Sequence, residues 1–110
     1  MSSITDDYMR EMLSKTKPYT VVILHKTPKI MQSGMDKVVW EHGRRNFELR
    51  QDGKLQVVCP VMDETDVSGI GVFSTDPDET RKIMENDPGV KAGIFTFEIH
   101  KTRSFPGSAI

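Results

Sequence analysis

The stretch Lys54-Leu55-Gln56-Val57-Val58-Cys59-Pro60-Val61-Met62 is rich in β-branched residues and reads as a strand. A polar turn follows, Asp63-Glu64-Thr65-Asp66-Val67-Ser68, and then a second strand from Ser68 to Ser74. The two form a hairpin. Pro60 has no N–H to give to a ladder, so the first strand of this hairpin is expected at a sheet edge. What flanks the hairpin decides the fold.

On the N-terminal side, residues 31–51 read as a helix. At 100° per residue, Met35, Val38, Val39, His42, Asn46 and Leu49 fall on one side, while Trp40 and Phe47 fall on the opposite one. Asp52-Gly53 stops it, with Gly53 suited to a left-handed cap. On the C-terminal side, Ser74-Thr75-Asp76-Pro77-Asp78-Glu79 has a cap, an early proline and acids in the first turn. That helix runs to about Asn86 and is broken by Asp87-Pro88-Gly89. A strand lies beyond each helix: Tyr19-Thr20-Val21-Val22-Ile23-Leu24-His25, closed by Thr27-Pro28, and Lys91 to Thr102, followed by a tail from Arg103. Residues 4–16 form one further helix, capped by Thr5 or Ser3 and ended by Lys17-Pro18.

The order βαββαβ is the split ferredoxin-like arrangement. It gives an α+β fold with an antiparallel sheet in strand order 4-1-3-2. Residues 1–17 are then an N-terminal helical extension and 18–110 the ferredoxin-like domain.

Composition narrows the function classes. The chain has 110 residues, 36% of them apolar, and a net charge of −1. A nucleic-acid-binding domain or one for an anionic membrane is usually strongly basic, so neither partner is expected. One cysteine allows no intrachain disulfide and no cysteine-rich zinc site. The N-terminus lacks the basic and apolar regions of a signal peptide, so a cytoplasmic protein is expected.

The topology gathers His25, His42, Cys59 and Asp87 near one end of the sheet, with Val38 and Pro60 beside them, and puts His100 toward the other end. His42 sits within the apolar stripe and points between helix and sheet. Without a partner it is an inert core histidine. With a carboxylate on one nitrogen, its other nitrogen is a general base, and Asp87 is the available carboxylate. Asp87 alone also fits an ordinary turn. Cys59 reads as a small buried residue, or as a nucleophile only if a base activates it. His25 and His42 with Asp87 or Cys59 are metal-ligand types, but no pair has HxxxH or CxxC spacing, so no metal is expected.

Trp40-Glu41-His42, Leu49, Asp52-Gly53-Lys54-Leu55 and Cys59-Pro60 together resemble the YCII family. Its pattern has a helical histidine, a glycine eleven residues on, and a strand closing in Gly-Pro; His42 and Gly53 are eleven apart. Asn86-Asp87-Pro88-Gly89-Val90-Lys91-Ala92-Gly93 is similar to the family's Asp-Pro-aromatic-x-x-Ala-Gly signature. The resemblance covers residues 19–102. It implies a dimeric α+β barrel of ferredoxin-like subunits, with His42 and Asp87 paired as catalytic residues in a pocket. It also implies proton-transfer chemistry, such as elimination or dehalogenation, on small ring-derived substrates. Cys59 stands where the family has glycine, which is expected to add a thiol and bulk near the pocket, and Gly89 where it has an aromatic residue, which is expected to open space or loosen a wall there. The N-terminal helix lies outside the pattern.

The expected protein is therefore a small cofactor-independent enzyme, lyase- or dehydrochlorinase-like or isomerase-like. It uses His42 and Asp87 in a pocket walled by His25, Val38, Cys59 and Pro60. The alternative is a non-catalytic small-molecule-binding or regulatory dimer. A homodimer or higher oligomer is expected on physical grounds too. The strand at 19–25 is apolar on both faces, and two helices cover only one face of a sheet. The N-terminal helix, apolar at Ile4, Tyr8, Met9, Met12 and Leu13, is expected to meet Trp40 and Phe47, within one subunit or across the dimer.

Overall fold

The computed structural model describes residues 2–105, 107, 108 and 110. The chain forms α1 (Asp6–Ser14), β1 (Lys17–Lys26), a 3₁₀ turn (Pro28–Met31), α2 (Met35–Gln51), β2 (Leu55–Pro60), β3 (Val67–Phe73), α3 (Pro77–Glu85), α4 (Pro88–Lys91) and β4 (Phe95–Ser104). The four strands make one sheet in the order β2-β3-β1-β4 with every neighbouring pair antiparallel. The architecture is the expected α+β one, and β2, with Pro60, is an edge. Among the described residues no helix is long and apolar enough to cross a membrane.

Two boundaries differ from the sequence reading by four residues, and others by less. The long helix starts at Met35, not at residue 31, because Gly34 takes φ +87° and interrupts the helical path after the Pro28–Met31 turn. The last strand starts at Phe95, not at Lys91. Residues 88–91 instead form one helical turn capped by Asp87, and Gly93 at φ +78° redirects the chain into the strand. β4 continues to Ser104, so the tail begins later than expected, and positions 106 and 109 lie outside the described residues.

Strand parity sorts the side chains. Thr20, Val22 and Leu24 are buried on the helix-covered face, opposite Phe73, Gly71 and Gly69 of β3. Val22 and Leu24 also face Ile99 and Phe97 of β4. With Leu49, Leu55, Ile83, Met84, Ile94 and Phe95 they build the core. The other parity carries Tyr19, beyond the end of β3, and Val21 and Ile23, opposite Val72 and Ile70 on β3, which in turn face Val57 and Cys59 on β2. Among the described residues no helix covers that face, and Ile70 is 41% exposed.

α1 is capped by Thr5, whose hydroxyl oxygen accepts the Tyr8 N–H at 3.1 Å. It buries none of its residues. β1 and β4 begin and end beyond β3: Lys17, Pro18 and Tyr19 pair only with Ser104, Arg103 and Thr102. This two-stranded ribbon carries α1 away from the body.

Candidate functional site

Asp87 is fixed before it meets any distant residue. Pro88 presets the first helical position of α4, and the Asp87 carboxylate caps that turn. Its Oδ2 accepts the N–H groups of Gly89 at 2.9 Å and Val90 at 3.2 Å. The residue is 1% exposed. A carboxylate taken so far out of water needs partners for its remaining lone pairs. Oδ1 has one: it accepts from Nδ1 of His42 at 2.7 Å. The Arg45 guanidinium lies 3.9 Å from the same oxygen while donating to the Ile83 carbonyl at 2.7 Å.

His42 comes to this point from the inward side of α2. Its side chain retains 14% exposure, whereas that of Asp87 retains 2%. The ring tilts against Phe95, with centroids 4.8 Å apart and planes at 52°. An ionised carboxylate only accepts, so the pairing places a proton on Nδ1 and leaves the lone pair on Nε2. The Asn46 amide nitrogen, one turn further along α2, lies 3.4 Å from Nε2.

Beside His42 is a cavity of about 250 Å³ between α2 and the sheet. Its walls are mainly apolar, among them Leu24, Val58, Phe73, Met84 and Phe95. β3 explains why space remains there. Its two helix-facing positions opposite Val22 and Leu24 are Gly71 and Gly69, which bring no side chain to fill the layer.

The sequence-derived pocket is assembled in part. His42, Cys59 and Pro60 border the cavity. His25 and Val38 do not. His25 shares the parity of Val21 and Ile23, so it lies on the uncovered face of the sheet. There its Nε2 pairs with Glu98 Oε1 at 2.7 Å, and its Nδ1 is 3.4 Å from Asp66 Oδ2 without hydrogen-bond alignment. His100, expected at the far end, joins the same Glu98 through Oε2 at 3.0 Å. Donating a hydrogen bond to Glu98 raises the His25 pKa, and the bonds that Glu98 accepts from His100 and His25 lower its own. Val38 packs against the core while its neighbour Val39 reaches the cavity. Cys59 has a free, exposed thiol. Gly89 does not open space as expected, because the Phe95 ring already stands where a side chain would go.

Asn46 and Phe95 are site residues that sequence reasoning left unassigned. Asn46 stands four residues after His42 on the same face, a visible signal. Phe95 is indistinguishable in sequence from any alternating core residue. Among the described residues no three His, Cys, Asp or Glu side chains converge as a metal site.

The arrangement is a carboxylate-held imidazole beside a small apolar cavity. It can bind a compact, mostly apolar molecule and exchange a proton with it. No family model matches the chain, and no curated protein matches it significantly. Among solved structures, the fold is similar to that of 5-chloro-2-hydroxyhydroquinone dehydrochlorinase from Burkholderia phenoliruptrix AC1100, in complex with 2,5-dihydroxybenzoquinone. The identity is 23% and the TM-score 0.54, over 74% of this chain and 90% of the other. At that identity the likeness is one of fold.

Proposed function

We propose that the protein is a small acid/base enzyme of the YCII type, acting without a cofactor on a compact cyclic or aromatic-derived metabolite. The observation that carries this reading is the 2.7 Å bond from His42 to the buried Asp87, made by a histidine that also lines an apolar cavity. In this reading Asp87 holds the ring and stabilises it once protonated. Nε2 takes a proton from a carbon or hydroxyl of the substrate. In an elimination from non-aromatic ring carbons, such as those of a keto tautomer, the electron pair of the C–H bond forms a new double bond as halide leaves the neighbouring carbon; in an isomerisation the proton returns to a different carbon. A positioned base of this kind contributes roughly 10²–10⁴-fold to the rate.

The fold relative supports the choice of substrate class, because it is a dehydrochlorinase with a dihydroxyquinone bound. Ring-sized ligands suit a cavity of about 250 Å³ with apolar walls. The uncovered face of Tyr19, Val21, Ile23, Ile70 and Val72 supports a homodimer formed sheet to sheet. Sedimentation of an Ile23→Lys variant tests that point, with loss of the dimer expected.

The function is tested by incubating the protein with hydroxyquinones and chlorinated hydroxyhydroquinones in deuterated water. Halide release or carbon-bound deuterium is followed for the native chain and for His42→Ala. Turnover that depends on His42 supports the enzyme. Tight binding with no exchange and no halide release would leave a binding protein.

A further inference from the structure

Besides the open face of the sheet, two apolar helix surfaces have no cover among the described residues. One is the outer face of α2, where Trp40 is 70% and Phe47 67% exposed. An open groove of about 400 Å³ runs between them, lined by Asp36, Val39, Trp40, Gly43, Arg44 and Phe47. The other is the stripe of α1, where Tyr8, Met9 and Leu13 are all exposed. We propose that these two surfaces meet between copies: α1 of one chain seats on the Trp40–Phe47 groove of a second copy.

The dimensions agree. Trp40 and Phe47 are seven residues apart, about 10 Å along a helix, and the nine residues of α1 span about 13 Å. The charges favour one orientation only weakly, since Asp7 already pairs with Arg10, Lys15 with Glu11 and Arg44 with Glu41. α1 begins with Asp6 and Asp7 and ends toward Lys15, while α2 begins with Asp36 and carries Arg44 and Arg50 in its second half. Laid antiparallel, the acidic start of α1 lies over the basic end of α2, and Lys15 lies toward Asp36.

The cover comes from another copy, because within the chain α1 buries none of its residues and leaves Trp40 and Phe47 exposed. Only Lys15 and Thr16 join α1 to β1, so the helix has little slack to fold back. The arm also makes the chain long. Its largest extent is 57 Å and its radius of gyration 16.7 Å, against about 13 Å for a compact domain near this length. The exposed area is 7657 Å², whereas a compact monomer of this mass exposes about 6,200 Å². The surplus is on the scale of what each partner contributes to a large, stable interface.

Trp40 is the only tryptophan, so its fluorescence reports the groove directly. The experiment uses full-length chains throughout. In the first arm, Tyr8→Ser, Met9→Ser and Leu13→Ser are combined, all at exposed positions, and circular dichroism checks that the fold persists. The emission of Trp40 is expected to shift to the red relative to the native chain. In the second arm, a Trp40→Phe chain, which has an intact α1 and no tryptophan, is added to the triple variant. The emission is expected to return toward the blue, because α1 of one copy covers Trp40 of another. A native emission already at the fully exposed position overturns the proposal, and leaves a different protein or nothing as the occupant. A red shift in the triple variant with no rescue by the second chain also overturns it, and assigns the contact to one chain. Unchanged shielding in the triple variant overturns it as well, since the groove is then covered by something other than α1.

Discussion

The Phe95 ring occupies the place that a side chain at Gly89 would take: a β-carbon there would come within 2.7 Å of Phe95 Cε2. The same ring is tilted against His42. Gly89 therefore allows Phe95, which begins β4, to lie beneath the candidate base.

Gly89→Ala is accordingly expected to be damaging despite its size. The ring must move, and overpacking of this kind costs about 1–3 kcal/mol. Thermal unfolding is expected to show a clear drop in Tm. An unchanged Tm would mean that Phe95 relaxes freely and does not fix His42.

Asp87 has two duties that separate by substitution. Asp87→Ala removes the cap of α4, at about 0.5–2 kcal/mol, and strips the Gly89 and Val90 N–H groups of their acceptor. Asp87→Asn keeps a carbonyl oxygen for the cap but faces Nδ1 with a neutral amide. Asn is therefore expected to retain most of the stability and lose activity, whereas Ala loses both. Chemical denaturation and turnover, measured side by side, check this.

On the uncovered face, the Glu98 hydrogen bonds link His25 and His100. The His25 pKa is raised from its ordinary 6.5, so that contribution is complete below 6.5 and fades as pH rises through the higher folded value. The Glu98 pKa is lowered from 4.5, so its contribution is present above 4.5 and fades as pH falls through the lower folded value. The native chain is therefore expected to exceed Glu98→Gln in Tm most between those two ordinary values. A Tm difference that does not vary with pH would contradict the assignment.

Much of this was legible in the sequence, and the failures have physical causes. The hairpin at Lys54–Ser74 with a helix and strand on each side gives the topology, because few arrangements satisfy that order. The helical phase of His42 and the position of Asp87 after α3 bring the pair together from elements far apart in the chain. Proximity to a strand end does not fix which face His25 takes; counted from Val22 and Leu24, its parity is that of the open side. Asp87-Pro88-Gly89 reads only as a break before the strand, and the single helical turn at Pro88–Lys91 leaves no further signal because four residues carry no periodicity. The cavity itself was hidden, although Gly69 and Gly71 alternate at the positions that create it.

The central claim is that Asp87 holds His42 by Nδ1 and leaves Nε2 for the substrate. Long-range proton–nitrogen NMR of the imidazoles tests it most directly, with the His42 signals identified by their absence in His42→Ala. The expected result is a proton on Nδ1, an unprotonated Nε2, and a change at Nε2 when 2,5-dihydroxybenzoquinone is added as the probe. A proton on Nε2 with Nδ1 bare, or a bound probe that leaves His42 unmoved and shifts His25 or His100 instead, would contradict it.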